Sequence, residues 1–322
     1  MKEIGITHQE EGITVLKIAS KILPDAPRSL IYKFIRNKNI EVNGARCKSG
    51  DVLKAGDKVL FFLSDETYDK LGGRRMITDG AGSDTSGRQD EAFFRSRIIY
   101  EDDDYLFFDK PAYLRSQRDA SGRLSLNDML LKHCGVSGPV KPSICNRLDV
   151  NTSGIVLCGR SQKGLDRLNN AIKEHRIRKF YRALLFGRID NDLHLTAYIS
   201  QSDKDNKVSI SDRYPGKNDG YRECITDIRV IEATDDITYA EIQLVTGRKH
   251  QIRAHTAHIG HPVIGDIKYG DKKSRVISAK RQMLHASRVE LPDDILDGMT
   301  ICSAIPQDIK ELLLRYGFKE TS

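Results

Sequence analysis

The residues best suited to chemistry lie in one short run, Asn146-Arg147-Leu148-Asp149-Val150-Asn151-Thr152-Ser153-Gly154. Lys141-Pro142 ahead of it disfavours a helix. Thr152-Ser153-Gly154 is turn chemistry that feeds Ile155-Val156-Leu157-Cys158, an apolar segment that reads as a buried strand. Asp149 is thereby placed on a short loop between rigid neighbours, the setting in which loops carry function. In an extended loop Arg147 and Asp149 point to one side and Leu148 to the other. A carboxylate held this way can serve as a nucleophile or a general base. Taken alone, the two charges also fit a surface pair at a strand start, which would contribute little.

Further runs follow in order. Arg178-Lys179-Phe180-Tyr181-Arg182-Ala183 sets a lysine and a tyrosine two positions apart. Leu244-Val245-Thr246-Gly247-Arg248-Lys249-His250-Gln251-Ile252-Arg253-Ala254-His255 gathers basic groups and histidines, and His261-Pro262-Val263-Ile264-Gly265-Asp266 and Leu284-His285 come after it. The first run resembles the His-Arg-Leu-Asp-x-x-Thr-Ser-Gly signature of the RluA-type pseudouridine synthases. The second resembles their Lys-x-Tyr-x-Ala element and the third their Thr-Gly-Arg-x-His-Gln-Ile-Arg-x-His element. Asp109-Lys110-Pro111-Ala112 is similar to the family's Asn-Lys-Pro-x-Gly, with Asp109 and Tyr113 as variants. The resemblance covers roughly residues 95 to 320, and several ordered motifs are far more specific than a lone Arg-Leu-Asp. Asn146 departs from the family's histidine; the Arg-Leu-Asp core is intact, and the change reads as a tolerated variation in loop support.

The resemblance implies an isomerase that detaches uracil from its ribose, turns it and rejoins it through carbon. Such a reaction is redox neutral and hydrolyses nothing, so no cofactor is implied. Asp149 corresponds to the essential aspartate, which either attacks the anomeric carbon or removes the neighbouring ribose proton. Arg253 corresponds to the guanidinium that aims it. Tyr181 corresponds to a ring that stacks on the flipped base and a hydroxyl that handles a proton. Leu284 becomes a pocket wall, and Arg147 the group that fills the space the uridine leaves in the RNA. Lys179, Lys249 and His250 complete the expected substrate-binding set. His255-x-x-His258-x-x-His261 imitates a metal motif, but steps of three drift around a helix and no acid intervenes before Asp266, so no metal is expected.

The elements around these groups are legible in outline. Residues 98–108 read as two strands across an acidic turn, 124–134 as a short helix, and Ser161 as the cap of a clearer one. Residues 179–186 and 238–245 read as strands. Strands outnumber helices and most connections look like hairpins. The expected class is α+β, with a mixed, largely antiparallel central sheet in a catalytic domain over 93–322, preceded by a small α/β RNA-binding domain. That smaller domain spans 1–63. Ile13 to Ile18 are an apolar lead-in, Ser29 caps a helix, residues 40–44 form a strand ending in an Asn-Gly turn, and residues 57–62 form another strand. Arg28, Lys33, Arg36, Lys38, Arg46 and Lys48 face a single acid, Glu41, which is a phosphate-binding footprint. The order of elements resembles the alpha-L RNA-binding domain. Residues 64–92, poor in apolar side chains, read as a flexible linker that tethers this module without a fixed interface.

Composition agrees. A chain of 322 residues accommodates two domains, and a net charge of +7 favours a polyanionic partner. No apolar run approaches the ~20 residues that span a bilayer. The six cysteines show no metal spacing and read as reduced thiols. A monomeric cytoplasmic protein without membrane contact is expected. Its RNA is expected to be large-subunit ribosomal RNA, with transfer RNA as the alternative substrate and a non-catalytic ribosome-assembly factor as the alternative role.

Overall fold

Two left-handed residues make the first hairpin. Asn43 and Gly44 have φ of 51° and 74°, the twist that a two-residue turn between antiparallel strands requires. The computed structural model describes residues 1–72, 85–118, 123–135, 138–201, 207–216, 220–270, 272 and 274–319. The chain divides into two compact units, one of Met1–Phe107, Gln117–Asn146 and Leu157–Asn169, the other of Phe108–Ser116, Arg147–Val156 and Asn170–Ser322.

The first unit opens with β1 (Lys2–Gly5), α1 (Val15–Ile22), α2 (Arg28–Arg36), β2 (Ile40–Val42), β3 (Ala45–Arg46) and β4 (Lys58–Phe61). The strands pair antiparallel in the order β1-β4-β2-β3. Ile18, Ala19 and Ile22 of α1 and Ile31 and Ile35 of α2 bury their side chains with Val59 and Phe61 of β4. The apolar lead-in at 13–18 is thus the start of a helix, capped by Thr14, whose side chain accepts the Lys17 amide. Helix α2 begins at Arg28 after Pro27, not behind a Ser29 cap, because proline presets the entering backbone and needs no side-chain bond there.

The module is not loosely tethered. Val140 is buried in its core and Leu165 packs against it, while the Lys17 ammonium lies 3.0 Å from Asp166 and Lys21 Nζ donates to Gln162 Oε1 at 3.2 Å. The stretch read as a linker is likewise helical at its ends, as α3 (Asp65–Lys70) and α4 (Thr85–Arg95). Aromatic packing accompanies both helices: Tyr68 on α3 sits edge-on to Phe61, with ring centroids 6.2 Å apart, and Phe94, on α4 just past the stretch, is buried. Residues 73–84 lie outside the described residues.

β5 (Ile98–Glu101), β6 (Tyr105–Lys110), α5 (Leu126–Cys134), β7 (Ser143–Ile144), β8 (Ser153–Gly159) and α6 (Gln162–Lys173) follow. β6 neighbours β5 and β8, and β7 pairs with β8. The chain divides within β6, β8 and α6, whose remaining residues belong to the second unit. Ser161 caps α6 as its position predicted, and Ser125, not singled out in the sequence, caps α5.

The second unit adds β9 (Arg178–Phe186), β10 (Leu193–Gln201), β11 (Val208–Ser211), β12 (Arg222–Ala233), β13 (Ile237–Leu244), α7 (Gln251–His258), β14 (Leu284–Glu290), β15 (Thr300–Cys302) and α8 (Gln307–Arg315). Strand order is β11-β10-β12-β13-β9-β14-β8, with β15 on β14. All these pairs are antiparallel except β14 with β8. The fold is therefore α+β with a mixed, largely antiparallel sheet. Gly154 permits the parallel pair: its φ is 112°, and a Cβ there would overlap the Ala286 carbonyl oxygen. Among the described residues no helix is long and apolar enough to cross a membrane.

Candidate active site

Residues 145–152 form a loop whose backbone is held from several directions. The fully buried Lys110 Nζ donates to the carbonyls of Pro111 at 3.0 Å, Leu114 at 2.9 Å and Val150 at 3.3 Å. Ser116 Oγ donates to the Leu148 carbonyl at 2.8 Å and accepts the Leu148 amide at 3.1 Å. Arg281 Nη1 donates to the Asn151 carbonyl at 3.2 Å and Gln282 Nε2 to Thr152 Oγ1 at 2.8 Å. The residue between these anchors is Asp149. At the stem, Asn146 Oδ1 accepts the Leu157 amide at 2.7 Å, which accounts for an amide side chain at this position.

Asp149 meets α7. Its Oδ2 accepts Arg253 Nη1 at 2.6 Å, and His250 Nε2 lies 3.7 Å from Oδ1. The side chain of Asp149 is 30% exposed whereas that of Arg253 is 8% exposed, so the acid is the reachable member of the pair. Arg253 is itself anchored by Asp266, whose carboxylate accepts Nε at 2.6 Å and Nη2 at 2.9 Å and also takes the Lys268 and Tyr269 amides. The Arg253 guanidinium lies over the Tyr269 ring, 5.2 Å from its centroid, and Tyr269 Oη is 2.9 Å from His250 Nδ1.

Burial disfavours charge throughout, and specific partners decide where charge survives. Desolvation works against ionised Asp266, but the Arg253 hydrogen bonds outweigh it and hold the carboxyl below its usual range. Desolvation also opposes the Arg253 cation, and the hydrogen bonds and charge of Asp266, with Asp149, raise it further above its ordinary value. His250 is pushed down to about 4 by burial, only partly offset by Asp149, so the ring is neutral at neutral pH. Burial, then the Asp149 charge, raises the Tyr181 hydroxyl. Burial lowers Lys110 to about 7, countered by Asp149, and lowers Lys179.

The expected residues divide clearly. Asp149 and Arg253 are in direct contact, His250 lies beside them, and Tyr181, buried on β9, is within electrostatic reach of Asp149. Leu284 is buried at the start of β14, and its carbonyl accepts Arg281 Nη1 at 3.2 Å. Lys179 points its ammonium toward Gly247, and Lys249 adds positive charge near His250. Arg147 is exposed one residue from Leu148. Each remaining histidine has its own partner: His255 faces Thr226, His258 faces Asp212 and His261 faces the Phe186 carbonyl. Among the described residues no three metal-ligating side chains come together. Arg28, Lys33, Arg36, Lys38, Arg46 and Lys48 are all exposed on the first unit. Arg36, Arg46 and Lys48 line one groove of about 590 Å³ with Tyr32, Ile35, Cys47 and Ser49.

Sequence reasoning missed Asp266 as the anchor of Arg253, although it stood in a matched run, and missed Arg281. The buried Arg281 side chain binds Asp308 through two hydrogen bonds of 2.6 and 2.9 Å. Three positions before Leu284, it carried no periodic or motif signal.

With this geometry in place, the comparisons with known proteins become informative. The RNA pseudouridylate synthase family profile matches residues 104–258. The chain is 30% identical to the uncharacterized RNA pseudouridine synthase YlyB of Bacillus subtilis, over 97% of this chain and 98% of that one. It is also 30% identical to ribosomal large subunit pseudouridine synthase C of Rickettsia felis, over 87% of this chain and 88% of that one. Among solved structures, human RNA pseudouridylate synthase domain containing 4 shares the fold with a TM-score of 0.61 at 19% identity, covering 74% of this chain and 99% of that one.

Proposed function

This chain belongs to the RluA-type RNA pseudouridine synthases, isomerases that act on RNA, and we propose that Asp149 is its catalytic carboxylate and large-subunit ribosomal RNA its substrate. The observation that carries the assignment of Asp149 is its 2.6 Å bond to a buried, doubly anchored Arg253 on an otherwise immobilised loop. The substrate class is that of the Rickettsia felis relative, a ribosomal large subunit pseudouridine synthase.

The uridine leaves its stack and enters with its sugar toward Asp149. The carboxylate either bonds to the anomeric carbon as the bond to nitrogen breaks, or takes the neighbouring ribose proton and leaves a glycal. In both routes the base turns and its carbon bonds to the anomeric carbon, displacing the Asp149 carboxylate in the first route or adding to the glycal as Asp149 returns the ribose proton in the second; the proton on that base carbon is then lost and the freed ring nitrogen takes one up. Arg253 fixes the attacking oxygen through both events. Tyr181, kept protonated by burial beside Asp149, offers the base a ring edge and a hydroxyl donor, not a free base. Leu284 walls the pocket, and Arg147 fills the vacated stack. Lys179, Lys249 and His250 face the substrate, while Arg28, Lys33, Arg36, Lys38, Arg46 and Lys48 bind RNA phosphates from the first unit.

Incubating unmodified ribosomal and transfer RNA with the protein and mapping pseudouridine tests this reading. New sites in large-subunit RNA that Asp149→Ala fails to make are the expected result. Sites made equally by both proteins, or in transfer RNA alone, would overturn the catalytic or the substrate assignment respectively.

A further inference from the structure

We propose that Tyr113 is a stacking platform for a nucleotide flanking the target uridine, and so helps determine which RNA is accepted. The inference rests on the reading of Asp149 as the catalytic group.

Tyr113 has a φ of 70°, a conformation that a bulky side chain rarely adopts and that glycine would occupy without strain. Its surroundings hold it there. The Tyr113 amide donates to the Val150 carbonyl at 2.7 Å, and Val150 follows Asp149 directly; the same carbonyl accepts Lys110 Nζ. The Tyr113 hydroxyl donates to the Lys280 carbonyl at 3.2 Å. Lys280 precedes Arg281, whose guanidinium holds the Asn151 carbonyl. Backbone and ring tip are therefore tied to the two residues that follow Asp149, Val150 directly and Asn151 by way of Arg281.

Despite these ties the residue is 60% exposed. A strained, tethered aromatic that buries little apolar surface contributes little to folding, and its fixed ring loses little entropy on binding. Arg147 fills the gap inside the RNA, but drawing a uridine out also pulls a flanking nucleotide away from its stack, and an aromatic ring offers that base a face regardless of its identity. Tyr113 touches no reacting atom in this account; it selects and holds RNA.

The test uses the full chain with an unmodified large-subunit RNA transcript and three variants, Tyr113→Phe, Tyr113→Leu and Tyr113→Gly. RNA affinity, the kcat and KM of pseudouridine formation, and the thermal midpoint are measured for each. Phe is expected to match wild type within about twofold. Leu and Gly are expected to weaken binding and raise KM by about 5- to 140-fold, the range of base–aromatic stacking, with kcat nearly unchanged. The Gly variant is expected to keep its thermal midpoint, because relief of backbone strain offsets the lost hydroxyl contact. Unaltered affinity in Leu and Gly overturns the proposal. So does a Phe variant as weak as Gly, or a loss of affinity that tracks falling kcat and thermal midpoint together. If wild type makes no pseudouridine on any transcript, the functional reading fails, and the affinities of the four proteins still decide the role of the ring.

Discussion

A single guanidinium between two carboxylates cannot serve both alike, and the difference here defines the site. Arg253 gives two donors to Asp266, which is completely buried, and one to Asp149, which faces solvent. Asp266 is thus the anchor and Asp149 the more exposed partner. Replacing Arg253 by lysine removes the fork that spans both acids, and the expected result is a fall in kcat of about 10²-fold, read by single-turnover pseudouridine formation. Asp266→Asn leaves Arg253 short of a charge partner in the interior, and denaturant unfolding at neutral pH is expected to show a loss of about 3–5 kcal/mol. The pH dependence has a definite sign. The folded value of Asp266 lies below its unfolded value of about 3.9, so its contribution is complete above that pH and disappears as pH falls through the folded value. Thermal melts of Asp266→Asn below about pH 4 are therefore expected to be flatter than those of wild type. At this scale Asp149 and Arg253 stand out by residue type within their runs, whereas the anchoring role of Asp266 does not, because its pairing with Arg253 depends on how the chain folds back and leaves no local mark.

At the scale of elements, the reactive loop is clamped by pieces of chain far apart in sequence. Lys110 reaches it from the end of β6, Gln282 and Arg281 from the lead into β14, and Asp308 on α8 holds Arg281 in turn. Asp308 thereby links the first turn of a distant helix to the backbone beside Asp149. Asp308→Asn is expected to lower kcat by about 10- to 100-fold with RNA affinity unchanged, because a small displacement of the reacting carboxylate is costly while the binding surface persists. Filter binding beside single-turnover rates checks that split. Gly154→Ala forces a side chain into the Ala286 carbonyl at a left-handed φ. Its expected effect is a destabilisation well above 1 kcal/mol in denaturant unfolding, with loss of the parallel β8–β14 pair. The strands within 98–108, 179–186 and 238–245 and the helices at 124–134 and after Ser161 were readable from hydropathy and caps. The helical ends of the supposed linker were not, because two aromatic residues, Tyr68 and Phe94, do the packing and show no period.

For the molecule as a whole, charge is distributed by use. Lys2, Lys17 and Lys58 in the first unit each pair with an acid, at 3.0 to 3.2 Å, whereas Arg36, Arg46 and Lys48 share an open groove. Replacing those three by alanine is expected to weaken RNA binding and to reduce the slope of log affinity against log salt by about 2 to 3, at ~0.7–0.9 per phosphate contact. Titrating affinity between low and physiological salt measures it. An unchanged slope would show that the groove takes no phosphate. What the order of residues determined alone was the acid and turn of the 146–154 loop, the cluster of basic residues in 28–48 and the class of fold. Those depend on hydropathy period, turn residues and charge within a few positions. Only the tertiary structure decided that Arg253 reaches Asp149 across 104 positions, that Asp266 and Asp308 stand behind the loop, and that Val140 and Leu165 join the first module's core. Those meetings follow from the fold's long-range strand register, including the parallel pairing of β14 with β8 beside the loop, which no local pattern encodes.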